Sequence, residues 1–535
     1  MPNLNNNTKI IIIFGGVYSS LGKGICASSI SRILKELGNK VQMMKLEPYL
    51  NIDPGLMSPY QHGEVYVTYD GGETDLDLGS YERIGGNRIS RNQYVTSGQI
   101  YNEIIQEERN GDYNGKTVQV VPHVTGKIKQ KIYNIISSQE LDFLIIEVGG
   151  TVGDLESLAM IESLCEINKE VGKERFLPIL LAPLIYLGGT SGELKTKPAQ
   201  HAYRELCKLG IVAEMMILRT EQDITKDVVE KMGFHCHIPN DYVFCAKTLP
   251  NVYMLPDSLF EQDIHKAIYK YFKLPLSPKA NINEWKKFTN SIKEAKKKVV
   301  IAIVGKYIEL HDAYASVIES IKLAGYENGA SVELKWINSE PLTDKNVKSS
   351  LKGIDGIIVP GGFGSRGVEG IMVAIKYART SNIPYLGICY GMQLAMIEFA
   401  RNVLGWKDAN TTEIDPNTSH PIFKYIDGRM RLGEQKCVMV NKKNFAYKLY
   451  NNQDIVLQRH RHRWEFNNQY LQDFAKKGFE VYAISSDSEK TVEMAGIPSL
   501  SFFFGGQFHP EFSSSPTKAD PAFSGLLKAC LKKKK

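Results

Sequence analysis

Short apolar runs alternate with amphipathic stretches along the chain. The first four are KIIIIFGG from Lys9, KVQMMKL from Lys40, LDFLIIEVGG from Leu141 and FLPILLAPLIYL from Phe176. KVVIAIVG from Lys298, VELKWI from Val332 and GIIVPGG from Gly356 continue the series. Continuous apolar runs separated by helical patterns are the signature of α/β domains whose parallel strands are buried on both faces. The rhythm lapses once, in the stretch rich in proline, asparagine and lysine from Leu274 to Lys298. It predicts two domains, 1–274 and 299–535, joined by a linker at 275–298.

In the second domain, NIPYLGICYGMQLAM runs from Asn382 to Met396 and sets a cysteine at a strand-to-helix corner. Pro384 to Ile388 reads as a buried strand, and Met392, Leu394, Ala395, Met396 and Phe399 recur at helical spacing. Gly387 and Gly391 are expected to supply the positive-φ backbone of a nucleophile elbow. A thiol there projects above the sheet, where the first amides of the next helix can lower its pKa and hold an oxyanion. A base stands downstream in GGQFHPEF: His509 and Glu511, two apart, share a face if the segment is extended. Cys389, His509 and Glu511 thus form a candidate nucleophile, base and orienting acid.

The first domain opens on FGGVYSSLGKG, a glycine-rich turn between the strand at Ile10 to Phe14 and a helix expected near Ile25. Amides in such a turn cradle phosphates and Lys23 can reach the terminal ones. The turn departs from the standard P-loop, being one residue longer from Gly16 to Gly22 and carrying Gly24 where serine or threonine is usual. Lys45 follows the next strand. Asp75 and Asp77 fall on one face if extended, and Glu147 ends the buried run from Phe143, where α/β sheets bind ligands. Hard carboxylate oxygens at these places suit magnesium accompanying a nucleotide.

Composition fits a globular protein: among 535 residues 43% are hydrophobic and 23% charged. The net charge of +6 is spread out apart from Lys296–Lys298 and Lys532–Lys535, so no nucleic-acid partner is expected. The 8 cysteines lack paired spacing, which predicts free thiols, and FHCHIP lacks a second ligand pair for zinc. Neither a signal-peptide segment nor a membrane-length apolar run is present, so a cytoplasmic protein without a membrane partner is expected.

Several long blocks resemble the CTP synthase family in the same order: SSLGKG, MKLEPYLNIDPGLMSPYQHGEVYVTYDGGETDLDLG, EVGGTVGDLES, SGELKTKPAQH, GKYIELHDAY, PGGFGSRGVEG, GICYGMQ, RHRHRWE and QFHPEF. The resemblance implies a P-loop-type, dethiobiotin-synthetase-like amidoligase domain fused to a flavodoxin-like class I glutamine amidotransferase domain. Its activity would be ATP-dependent amination of UTP to CTP through a 4-phosphorylated UTP intermediate, the final step of de novo CTP synthesis, with glutamine or ammonia as nitrogen donor.

By the same similarity Ser20, Leu21, Gly22, Lys23, Gly24 and Ile25 grip ATP, with Lys247, Thr248 and Leu249 at its base. Lys23 and Lys45 support phosphoryl transfer, and Asp77 and Glu147 are magnesium ligands, Asp77 also meeting ATP. Ser19, Lys195, Thr196, Lys197, Pro198, Ala199, Gln200 and Lys231 resemble the UTP site, and Asp154, Leu155 and Glu156 the region recognising inhibitory CTP. Gly362, Tyr390, Gly391, Met392, Gln393, Glu413 and Arg463 would hold glutamine. The resemblance further implies a GTP activator, a homotetramer and possible filaments.

Four departures stand out: Phe14 before the double glycine, AKTL at Ala246–Leu249, Trp464 after Arg463, and a lid at 420–435 shorter than the family's. None removes a catalytic group. The alternative is a nucleotide-binding, filament-forming relative without turnover.

Overall fold

The runs of isoleucine, leucine and valine have no polar face to offer water, so they pair as central strands. In the computed structural model, which describes residues 7–187, 193–276, 281–306, 308–426, 428 and 430–533, the chain forms two compact units. The first comprises Met1–Leu56 and Asp77–Thr289. Its strands are β1 (Lys9–Gly15), β2 (Val41–Glu47), β3 (Tyr94–Thr96), β4 (Phe143–Val148), β5 (Phe176–Pro183), β6 (Met215–Thr220) and β7 (Val243–Lys247). They form one sheet in the order β7-β6-β5-β1-β4-β2-β3, every pair parallel.

Strand order reverses around β1, and ligands of open α/β sheets bind at the carboxyl ends beside such a reversal. Glu147 of β4 lies in register with Ile13 on one side and Lys45 on the other. The sheet's register therefore sets a carboxylate and an ammonium side by side beneath the glycine-rich turn.

The second unit comprises Met57–Leu76 and Asn290–Lys535. Its main sheet contains β8 (Lys297–Gly305), β9 (Ala330–Asn338), β10 (Gly356–Val359), β11 (Tyr385–Ile388), β12 (Arg431–Met439), β13 (Ile455–His462), β14 (Glu480–Ser485), β15 (Val492–Gly496) and β16 (Phe503–Gly506). The order is β9-β8-β10-β11-β16-β15-β14-β12-β13. Parallel pairing runs from β9 to β16, and antiparallel pairing from β16 to β13. The carboxyl ends of the neighbouring strands β10, β11 and β16 share one edge. Each leads into one of the motifs singled out above.

Two features differ from the sequence reading. The stretch expected to be a linker holds a helix, Asn283–Glu294, whose Trp285 is 2% exposed and donates to the carbonyl of Tyr253 at 3.0 Å. Proline and lysine flank it and hide its apolar spacing. The segment Met57–Leu76, early in the chain, is grouped with the second unit. In the shortened lid, Asp427 and Arg429 lie outside the described residues.

Candidate active sites

Cys389 follows β11 without an intervening residue and caps the helix Tyr390–Phe399, with φ 49° and ψ −101°. A non-glycine residue in so sparse a region costs about 1–3 kcal/mol and persists only where its surroundings enforce it. Here the Cys389 N–H donates to the carbonyl of Gly506 at 2.7 Å, tying the elbow to β16. Neither flanking glycine has a positive φ, which corrects the expectation that they supply it. Their purpose is close approach: a Cβ on Gly391 would lie 2.2 Å from the oxygen of Val359, and one on Gly387 2.8 Å from the carbonyl carbon of Gly391.

His509 meets Cys389 across Gly361, where a Cβ would lie 2.8 Å from the imidazole Cε1 and 3.8 Å from the Cβ of Cys389. Its Nδ1 is 2.7 Å from Oε1 of Glu511. That pairing arises in the turn of 3-10 helix Pro510–Phe512 and not along an extended segment, a second correction. Nε2 of His509 has no hydrogen-bond partner among the described residues and is left for a thiol or a substrate. Burial opposes the imidazolium, but attraction from Glu511 and then Cys389 outweighs it and raises the pKa to about 10. An imidazole so placed and oriented can act as the base for the thiol and the acid for a leaving group.

The loop after β10 closes over this pair. Gly362 packs toward Tyr390, whose hydroxyl donates to the Gly364 carbonyl at 2.7 Å, and the Gly364 N–H donates to Oε1 of Glu413 at 2.7 Å. Burial raises the pKa of Glu413, against the Gly364 hydrogen bond and the Lys306 charge. Lys306, absent from the sequence reading, donates to the Phe363 carbonyl. Gln393 is buried, Met392 lies in the core and offers only its main chain, and Arg463 is exposed.

In the first unit the loop from Gly15 to Lys23 carries positive φ at Val17, Ser20 and Gly22. The helix begins at Lys23, two residues earlier than expected near Ile25. A Cβ on Gly16 would lie 2.3 Å from the Cβ of Ala202, so the helix Lys197–Lys208 backs the loop. Lys23, 9% exposed, donates to the Gly150 carbonyl at 2.6 Å. Carboxylates of Asp77 and Glu147 converge on Gly24, where a Cβ would lie 3.2 Å from an oxygen of each. A side chain at Gly24 would crowd both oxygens, which explains why the residue there is glycine.

Lys45 sits 2.7 Å from Asp77 and 3.2 Å from Glu47, and the Tyr81 hydroxyl donates to Glu147. Burial, and then the Asp77 charge, lift the Glu147 pKa to about 7 against Lys45, Lys23 and the Tyr81 hydrogen bond. Asp75 does not share a face with Asp77: the strand ends at Thr74, Asp77 opens a helix, and Asp75 instead lies 3.5 Å from His62.

A cleft of about 260 Å³ beside the loop is lined by Tyr18, Ser20, Leu21, Tyr186, Arg219 and Thr248, among others. Arg219 donates to the Ala246 carbonyl at 3.1 Å and to the Thr248 hydroxyl at 2.7 Å. It was missed, although a cation closing an apolar strand was the available signal. Lys247 pairs with Asp223 at 2.7 Å, and Leu249 is half-buried.

Ser19 and Lys197 are exposed, while Lys195 pairs with Glu193 at 3.3 Å. Thr196 and Gln200 are buried and bonded to one another at 3.1 Å, with Pro198 and Ala199 between them. Asp154 accepts from the Thr151 N–H at 2.6 Å, leaving Leu155 and Glu156 exposed on the turn. Lys231 stands exposed on the helix Lys226–Cys236, and no hydrogen bond joins it to the cleft among the described residues.

Each half of the chain matches a known family. Residues 9–274 match the CTP synthase N-terminus family, and residues 309–529 match glutamine amidotransferase class-I. CTP synthase of Caldanaerobacter subterraneus is 46% identical over 98% of each chain. That of Clostridium kluyveri is 46% identical over 99% of each. The chain belongs to the CTP synthase family. It is an enzyme of that family, a ligase with a glutamine amidotransferase half. A solved glutaminase domain of Trypanosoma brucei CTPS is 38% identical, spans 44% of this chain and 94% of its own, and superposes with a TM-score of 0.42. Among the described residues no helix is long and apolar enough to cross a membrane.

Proposed function

We propose that the chain aminates UTP to CTP with ATP, releasing ammonia from glutamine at Cys389 and using it in the first unit. The observation that carries this is the convergence of Cys389, His509 and Glu511 at the ends of β11 and β16. Attack by the Cys389 sulfur on the glutamine amide would form a thioester and expel ammonia. His509 delivers the proton to the leaving nitrogen and Glu511 orients the ring. Glu413 suits the substrate's α-ammonium and Arg463 its carboxylate. Tyr390, Gly391, Met392, Gln393 and the Gly362 main chain line the acyl end.

In the first unit Ser20 to Ile25 would hold ATP phosphates, Lys23 and Lys45 the transferred charge, and Lys247 to Leu249 the base. Asp77 and Glu147 fit magnesium, since two carboxylates converge where a Cβ would be crowded. The ion would neutralise phosphate charge there. UTP falls to Ser19, Lys195 to Gln200 and Lys231, and product CTP to Asp154 to Glu156. GTP activation, a homotetramer, filaments and a cytoplasmic location belong to the same reading.

One assay tests it: protein, UTP, ATP and magnesium with either glutamine or ammonia, followed for CTP. CTP from both donors is expected. Nucleotide binding with no CTP from ammonia would favour the non-catalytic relative.

A further inference from the structure

Gln507 is fully buried two residues before His509, and its Nε2 points at Sγ of Cys389 from 3.7 Å. Amide nitrogen and oxygen differ only in what surrounds them, so the donor's direction must be fixed by neighbours. Here it is fixed by a chain of two hydrogen bonds. Gln393 Nε2 donates at 3.3 Å to the carbonyl of Trp464, which can only accept. The same amino group donates at 3.3 Å to Oε1 of Gln507. With its oxygen thus occupied, Gln507 presents NH₂ and not C=O to the sulfur. Its own backbone is anchored, the N–H donating to the Glu493 carbonyl at 2.9 Å.

We infer that Gln507 is a further catalytic residue, a hydrogen-bond donor to the Cys389 thiolate whose direction is set by the relay from Trp464 through Gln393. The inference rests on the reading of Cys389 as the nucleophile. Within the low-dielectric interior a neutral donor favours the thiolate without introducing a second charge. The other groups around the sulfur are His509, backed by Glu511, and Arg461. The carbonyl of Arg461 lies 3.9 Å from Sγ while its side chain turns away to Glu73 at 2.7 Å. Gln507 is thus a neutral side-chain donor to the sulfur beside the charged base. It also holds the sulfur in place when the imidazolium gives up its proton.

The test is the pH dependence of Cys389 alkylation by iodoacetamide in the full chain, followed by mass spectrometry of the peptide carrying Cys389. Gln507→Leu keeps the size of the side chain and removes the donor. Losing a donor to the thiolate raises the thiol pKa, so the alkylation profile should move about one pH unit higher, equivalent to a ten-fold lower thiolate population at a fixed pH. Gln507→Glu, which brings a carboxylate to the sulfur, should move it further in the same direction. Gln393→Leu, which frees the Gln507 amide to flip, should move it less. Glutamine hydrolysis should fall with the thiolate population while ammonia-dependent synthesis is kept.

A profile unchanged in a folded Gln507→Leu overturns the assignment, and one unchanged in Gln393→Leu overturns the relay. Because alkylation reads the sulfur directly, it decides the role of Gln507 even if the parent hydrolyses no glutamine. The latter result would instead refute Cys389 as the nucleophile.

Discussion

Two lysines and one cysteine divide the chemistry at the scale of single residues. Cys389 belongs to one unit, and Lys23, with Lys45, to the other. Cys389→Ala should abolish glutamine-dependent CTP formation and spare the ammonia-dependent reaction, because only the former needs the thiol. Loss of both in a folded variant would refute two separable sites. Lys23→Ala should lose CTP with either donor, by roughly 10² or more, while some glutamine hydrolysis survives. Lys23 and Cys389 were legible because each sits in a short string with its own backbone signal: a glycine-rich turn, or a cysteine between glycines. Gln507, Arg219 and Tyr81 were not, since their importance comes from partners distant in sequence. The role of Gly387 and Gly391 was misread for a related reason: a sequence shows a glycine but not whether it is the φ angle or the missing Cβ that is needed.

Among the elements, β13 is the one whose appearance misleads most. RHRHRWE is rich in charged side chains, yet Arg459, His460, His462 and Glu465 are all under 9% exposed. The reason is that opposite charges reach them from β12, β15 and the residues just past β13: His460 Nε2 lies 2.7 Å from Glu493, which also pairs with Arg431, and His462 lies 3.1 Å from Glu465. Burial lowers the His460 pKa to about 4, against the pull of Glu493. The folded pKa lies below the unfolded value of about 6.5, so below that pH the unfolded chain takes up a proton that the fold refuses. The stabilisation is present above pH 6.5 and is lost as pH falls toward 4, at about 1.4 kcal/mol per unit. Between pH 7 and 5 the parent should therefore lose more stability than His460→Gln in denaturant unfolding. Equal losses would show that this histidine titrates normally. Segment 420–435, a shortened lid by the family resemblance, contains the strand Pro421–Tyr425 and the start of β12. A lid with fewer residues covers less of a site. The expected outcome is less than one CTP per glutamine consumed at saturating UTP and ATP, raised by grafting a family-length segment between Ile422 and Arg431. A native ratio near one would sink this.

At the scale of the molecule, the segment Met57–Leu76 departs from chain order. It lies between β2 and the helix bearing Asp77, yet its bonds are to the second unit. Glu64 accepts from the Ser316 N–H at 3.1 Å and from its hydroxyl at 2.5 Å, and Ser320 on the same helix donates to the Glu511 carbonyl at 3.0 Å. Tyr66, 1% exposed, packs edge-on against Phe512 at 4.9 Å, while its hydroxyl accepts from Arg459 at 2.9 Å. The Arg459 carbonyl in turn accepts from the His509 N–H at 2.8 Å. Residues numbered in the sixties thus hold the main chain on both sides of the His509 imidazole. No periodicity could announce this, because the pairing spans hundreds of residues. A variant early in the chain should therefore damage the late chemistry. Tyr66→Ala opens a gap beside Phe512 and leaves Arg459 short of an acceptor, and misplacing a base costs on the order of 10-fold to 10²-fold in rate. Glutamine hydrolysis should fall by that much while ammonia-dependent CTP formation stays near the parent rate. Tyr66→Phe, which keeps the ring and loses only the hydroxyl, should fall between the two. Equal loss of both activities in Tyr66→Ala would instead place the segment's contribution with the amidoligase unit.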